Sequence, residues 1–221
     1  MTLLIFDCDG VLVDSEPIAN EVLAETLTAL GRPMTAADSV RTQIGKPLSD
    51  ILRETSEIVG RPMPQSIGAD MNERLFARFR RELRAMDGVA DALARLPQRR
   101  CLASSSRPER IDLALAVTAL DRFFHRRFSA VQVAHGKPAP DLFLLAAHEM
   151  GAEAASAVVM EDSVSGVIGA RAAGMRVIGF VGGGHATPDL AYRLVEAGAD
   201  RVIAHMRELP TTVAALQAGV C

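Results

Sequence analysis

The chain opens on a near-continuous apolar run, Thr2-Leu3-Leu4-Ile5-Phe6, the pattern of a strand buried on both faces. From Ser15 to Leu83 the pattern turns helical and holds no convincing strand. Ile18, Val22, Leu23, Leu27 and Leu30 recur at helical intervals over Glu16 to Leu30, and Gly31 and Pro33 close that helix. Pro47 to Val59 and Gln65 to Leu83 read the same way, the latter with its arginines on a solvated face.

From residue 84 short apolar runs alternate with helical stretches. Strands are predicted at Cys101 to Ala103, Phe128 to Val131, Ala157 to Met160, Val177 to Val181 and Val202-Ile203. Helices are predicted from Asp87-Gly88 to Leu96, after Pro108, over Asp141 to Met150, and from Ser163 to Ala173 with a stop at Gly174. Strands separated by helices imply an α/β fold with a parallel sheet covered on both faces. The first strand belongs to that sheet, so residues 15–83 read as an insertion after it.

Composition narrows the function classes. The 221 residues are 49% hydrophobic, enough for a well-buried core. A net charge of −3 gives no general field for nucleic acid or an anionic membrane. Apolar runs are too short for a membrane span, and the first residues lack the basic start and apolar stretch of a signal peptide. Cys8, Cys101 and Cys221 are scattered and odd in number, as in reduced thiols of a cytoplasmic protein. No obligate protein partner is indicated. Of 24 basic residues two are lysines, Lys46 and Lys137, leaving 22 arginines. Both lysines stand in a Gly-Lys-Pro tripeptide. Either arginine codons are favoured throughout, or these two places need a compact ammonium that a guanidinium cannot replace.

In open α/β sheets ligands bind beyond the carboxyl ends of the strands. Three predicted strands end there in acids or hydroxyls: Asp7-Cys8-Asp9-Gly10, Ser104-Ser105-Ser106, and Glu161-Asp162-Ser163. Asp7 and Asp9, if extended, point one way and Cys8 the other, which makes Cys8 a packing residue. Gly10 frees the backbone to turn under the site. Two carboxylates at a buried strand end repel and lose hydration, and a bound cation is the simplest compensation. Each feature alone has an ordinary reading: a turn, a helix cap, a charge at a helix N-terminus. The Gly182-Gly183-Gly184 run reads as a loop, since it lacks the spacing of a known phosphate-binding motif.

Taken in order, the four segments resemble the haloacid dehalogenase-like hydrolase superfamily, in its phosphatase and phosphomutase branch with a helical cap. Asp7 to Pro17 resembles its first motif, Ser104 its second, Lys137 in Gly136-Lys137-Pro138-Ala139-Pro140-Asp141 its third, and Glu161-Asp162-Ser163-Val164-Ser165-Gly166 its fourth. The resemblance implies a Rossmann-like catalytic core of residues 1–14 and 84–221, with residues 15–83 a helical cap. It implies that Asp7 attacks phosphorus to give an aspartyl phosphate, that Asp9 is the general acid and base, and that Lys137 neutralises charge on the phosphoryl group. It implies Mg²⁺ held by Asp7, the main-chain carbonyl of Asp9, and Asp162, with Glu161 helping directly or through water. Ser104 and the amide of Ser105 would hold phosphate oxygens. Gly10, Glu16 and Lys46 join the expected substrate-binding residues, Lys46 because family caps present a glycine-containing turn to the active site. A solvated surface lysine is the other reading of Lys46.

The implied activity is Mg²⁺-dependent hydrolysis of a small phosphorylated metabolite, a sugar phosphate or phosphorylated sugar acid. One tyrosine and no tryptophan offer no aromatic platform for a base. Asp9 speaks against the dehalogenase and phosphonoacetaldehyde hydrolase branches, which lack that acid. A sugar phosphomutase of the β-phosphoglucomutase kind is the alternative. Such enzymes carry a histidine in the first cap helix and an arginine after the cap glycine. Asp14 to Asn20 holds no histidine, and Leu48 stands at the arginine's place. A non-catalytic binding module on the same fold is the remaining alternative.

Overall fold

The structure, a computed structural model, describes residues 2–43 and 46–218. The opening apolar run forms β1 (Leu3–Phe6), buried along its whole length. The later runs form β2 (Arg99–Ser104), β3 (Arg127–Ser129), β4 (Ala157–Glu161), β5 (Arg176–Phe180) and β6 (Arg201–Ile203). All neighbours pair in parallel in the order β3-β2-β1-β4-β5-β6. Ile5 stands opposite Cys101 on one side and Val159 on the other. A strand flanked twice, with helices on both sheet faces, has no wet face, which is why its residues do not alternate in polarity.

Strand pleating still sorts the side chains. Leu3 and Ile5 join Ala103, Val159 and Val177 in a cluster with Leu142 and Phe143 of α7 (Asp141–Glu149), Val167 of α8 (Val164–Ala172) and Leu194 of α9 (Leu190–Glu196). Phe6, pointing to the opposite face, meets the Phe124 ring edge-on at 5.5 Å between centroids. The remaining helices of this unit are α5 (Val89–Ala94), α6 (Pro108–Val117) and α10 (Leu209–Gln217).

Contacts divide the chain into two compact units, residues 1–14 with 84–221, and residues 15–83. At the junction Asp14 N donates to Arg84 O (3.1 Å), Met86 N donates to Leu12 O (2.9 Å), and Val13 bridges antiparallel to Ala85.

The second unit contains α1 (Glu16–Ala29), α2 (Ala36–Gln43), α3 (Leu48–Val59) and α4 (Ile67–Glu82). Its core is Leu27, Leu30, Ile51 and Ile67, with methionines at its margin. Helix α2 is not foreseen by periodicity, because its only larger aliphatic side chain is Val40. It begins instead with a reciprocal cap. Asp38 N donates to Thr35 Oγ1 (3.1 Å), and Asp38 Oδ2 accepts from the Thr35 N–H (3.3 Å) and hydroxyl (2.7 Å). Among the described residues no helix is long and apolar enough to cross a membrane.

Candidate active site

The carboxyl ends of β1, β2 and β4, adjacent in the sheet, gather most of the predicted chemistry. Asp7 follows β1 directly, and its N–H donates to Met160 O (3.0 Å), extending the ladder by one residue. Its side chain is therefore aimed by the sheet. The chain then turns sharply, with Leu12 N and Val13 N both donating to Cys8 O (2.9 and 3.2 Å). Gly10 makes the turn at φ +76°, and a Cβ there would stand 1.9 Å from Asp162 Oδ2. Both the backbone angle and the close approach of β4's acid exclude a side chain at that position.

Lys137, on the loop between β3 and α7, ties the strand ends together. Its Nζ donates to Asp7 Oδ1 (2.6 Å), Glu161 Oε1 (2.5 Å) and the carbonyl of Ala103 (3.1 Å). Its side chain is 3% exposed, that of Glu161 1% and that of Asp7 10%. Glu161 Oε2 accepts from Ser163 N (3.0 Å) and Ser163 Oγ (2.9 Å), and Ser163 Oγ accepts from Gly166 N (3.0 Å) to cap α8. Ser104 is buried and accepts from the amide of Ser106 (3.0 Å), while Ser105 is exposed at the turn.

Asp9 is held apart from this network. Its carboxylate accepts from Ser106 Oγ (2.6 Å) and from Arg110 Nη2 in the first turns of α6 (2.8 Å). Asp162 faces another residue unforeseen from the sequence: His185 Nε2 lies 3.0 Å from Asp162 Oδ2, both side chains nearly buried. Ser106, Arg110 and His185 are thus additions to the expected set. Lys46 and Glu16 belong to the 15–83 unit. Lys46 Nζ donates to both oxygens of Glu54 on α3 (2.8 and 3.0 Å), and Glu16 sits in the first turn of α1. Gly45 of the Lys46 tripeptide lies outside the described residues. Cys8 is buried, as a packing residue should be, and burial beside Asp9 and Asp7 pushes its thiol well above the ordinary value.

Charge explains the site's character. Burial raises Asp7 well above the usual carboxylate range; Lys137 works against that rise, and Glu161 and Asp162 add to it. Burial likewise raises Asp162, with His185 opposing and Glu161 adding. For Lys137 burial pulls downward, but Asp7 and Glu161 outweigh it and hold the ammonium above its ordinary value. Asp7 and Glu161 thus share one ammonium, with a third buried acid, Asp162, close by. Such a surplus of hard oxygen charge suits a divalent cation. Among the described residues no three acidic, histidine or cysteine side chains form a ready coordination shell. Asp9 and Glu161 spend their carboxylate oxygens on protein donors, whereas among the described residues Asp7 is engaged through Oδ1 and Asp162 through Oδ2. Two carboxylates with water and a substrate phosphate are what Mg²⁺ ordinarily takes, so the donor set fits that ion.

A family model of haloacid dehalogenase-like hydrolases matches residues 1–174. The chain is 34% identical to the phosphorylated carbohydrates phosphatase of Thermotoga maritima, over 90% of this chain and 92% of that one. A solved structure of a conserved haloacid dehalogenase-like protein of unknown function from Agrobacterium tumefaciens superposes with a TM-score of 0.88 at 41% identity, covering 97% and 98% of the two chains. A putative β-phosphoglucomutase from Thermotoga maritima superposes with a TM-score of 0.79 at 28% identity, over 97% and 99%.

Proposed function

The chain belongs to the haloacid dehalogenase-like hydrolase family and is a phosphatase, and from that premise we propose that it hydrolyses small phosphorylated carbohydrates through an aspartyl-phosphate intermediate, with Mg²⁺ as cofactor. The observation that carries this reading is Asp7: a buried carboxylate aimed by the central strand, bonded through one oxygen to a buried ammonium. An oxygen of Asp7 attacks phosphorus, and the bond from phosphorus to the ester oxygen breaks. Asp9, still held through Oδ1 by Arg110 and exchanging the bond from Ser106 to Oδ2 for the leaving oxygen, supplies the proton. It then takes a proton from the water that attacks the phosphoenzyme, and the bond between Asp7 and phosphorus breaks to release phosphate. Lys137 stays beside Asp7 and offsets charge on the transferring group. Ser104 and the amide of Ser105 are assigned to the phosphate oxygens, and Gly10 is assigned the turn that carries the chain past Asp162 and His185. Asp7, Asp162 and the main-chain carbonyl of Asp9, with Glu161 beside them, would hold Mg²⁺, which when bound would supply charge neutralisation and substrate orientation.

Residues 15–83 are assigned the role of a cap that selects among esters, with Lys46 and Glu16 as the positions to vary. The substrate class rests on the relative that acts on phosphorylated carbohydrates. A phosphomutase reading has one observation in its favour, the likeness to the putative β-phosphoglucomutase. Against it stand the missing histidine in Asp14 to Asn20 and Leu48. The test is a panel of sugar phosphates and phosphorylated sugar acids with Mg²⁺, following free phosphate and, by ³¹P NMR, any isomerised ester. Phosphate release that stops in chelator, returns with Mg²⁺ and is abolished in Asp7→Asn is expected. Isomerised ester as the main product would establish the mutase. Full turnover by a folded Asp7→Asn protein would refute the nucleophile.

A further inference from the structure

Strand β5 ends beside the site, and the loop after it runs Val181-Gly182-Gly183-Gly184-His185. The loop is anchored at several points. Val181 N donates to Ile203 O (3.0 Å), Ala186 N donates to Gly183 O (3.0 Å), and Gly184 N donates to Asp14 Oδ1 (2.9 Å). These bonds deliver the His185 ring to Asp162, with Nε2 at 3.0 Å from Oδ2 and the ring's side chain 9% exposed. Two glycines make room for the ring. A Cβ on Gly183 would lie 2.8 Å from His185 Cε1, and one on Gly10 would lie 2.9 Å from the same atom. The loops after β1 and β5 and the acid after β4 therefore converge on one imidazole.

We propose that His185 is a positioning residue for Asp162, fixing the carboxylate through Oδ2 so that Oδ1 is presented to the cation. The inference rests on the metal-dependent reading of the site. A lone carboxylate turns freely about its last bond, and a cation that binds it must first stop that motion. A donor fixed on one oxygen removes that cost before the ion arrives. Hydrogen-bonded partners of metal ligands elsewhere contribute about 10–100-fold in affinity, and the same range is expected here. His185 also shields Oδ2, so Asp162 offers one oxygen rather than two, which suits the small octahedral Mg²⁺ better than the bidentate contacts that Ca²⁺ favours.

The test measures metal binding directly on the whole chain, with Mn²⁺ as probe, from the EPR signal of free ion, and Mg²⁺ by competition. Gln places an N–H near the position of the imidazole Nε2, whereas Asn, of similar polarity, falls short of it. His185→Ala and His185→Asn should weaken Mn²⁺ and Mg²⁺ by about 10–100-fold, and His185→Gln should recover most of the loss. The fall in kcat at saturating Mg²⁺ should be smaller than the fall in affinity. Circular dichroism and a urea midpoint establish that each variant is folded; if His185→Ala is not, the Gln and Asn pair decides. Equal affinity in wild type and the Asn variant would overturn the proposal, as would a loss of kcat at saturating metal with affinity unchanged. If the wild type binds neither ion and turns over in chelator, the metal reading fails and this inference with it. Metal binding by the wild type with no effect of His185 sinks the inference alone.

Discussion

Replacing Lys137 by Met removes the one ammonium that Asp7 and Glu161 share while keeping most of the side chain's volume. The structure sets the size of the effect. The lysine is 3% exposed and its partners 10% and 1%, so water has little access to screen the charges left behind. Breaking a buried pair by deleting one partner costs about 3–5 kcal/mol, against a typical domain stability of about 5–15 kcal/mol. The ring of Phe143, 5.1 Å from Nζ, loses a cation as well. Urea unfolding in chelator measures the loss directly. Its pH dependence follows from Asp7, whose burial already raises it and which Lys137 then no longer opposes. A carboxylate with a raised folded pKa binds more protons folded than unfolded, so stability falls as pH rises from the unfolded value through the folded one. The variant's urea midpoint should therefore fall more steeply with rising pH than the wild type's. Adding Glu161→Gln to Lys137→Met should restore part of the stability, because both members of the pair are then neutral. Coupling of about 0.5–3 kcal/mol is the range for groups in contact. A loss below about 1 kcal/mol, or strict additivity of the two changes, would refute the reasoning.

Two further outcomes concern the surroundings of the site. Arg110→Ala removes the guanidinium that holds Oδ1 of the Asp9 carboxylate; turnover of an alkyl phosphate should fall about ten- to a hundredfold, as for one charged hydrogen bond. An aryl phosphate, whose leaving group needs little proton transfer, should suffer less, and equal losses would leave Arg110 a purely structural role. Cys8 and Cys101 are buried, and burial pushes the Cys101 thiol up to about 12, so peptide mapping after iodoacetamide at pH 8 should find both unmodified in the native protein and modified in urea. Modification of either in the folded chain would contradict the packing described.

The sequence was legible where one element serves one purpose. β1 and β4 are unbroken apolar runs because both their faces are covered, and such runs have few other readings. The acids and the serine triplet at the ends of β1, β2 and β4 are reached by the rule that α/β ligands gather at carboxyl ends of strands. The same rule passes over β5, whose glycine run resembles no known motif; the histidine after it was the signal. Arg110 and Ser106 could not be assigned, because which residue of a turn faces Asp9 depends on backbone angles that periodicity does not encode. Helix α2 escaped because a polar helix stands on its cap and on buried hydrogen bonds, such as Ser39 Oγ to Asn20 Oδ1 at 2.7 Å, rather than on an apolar stripe. α9 and α10 were missed as well. Lys46 illustrates the converse. Its tripeptide matches that of Lys137, yet one lysine joins strand ends through buried acids and the other bonds a half-exposed glutamate on its own unit.

The junction at residues 14 and 84 carries a consequence for how such a protein diversifies. The chain leaves the core and re-enters it across a single rung, from Asp14 N to Arg84 O, with Leu12 and Met86 paired just below. To the core, everything between is the loop of a hairpin. Closing a longer loop adds only about 0.6 kcal/mol for each doubling of its length. The unit that holds the sheet therefore scarcely registers what is grafted there, whether a tight turn or a bundle of helices. One insert can be traded for another while Asp7, Asp9 and Asp162 stay at the ends of β1 and β4, strands whose register never has to shift.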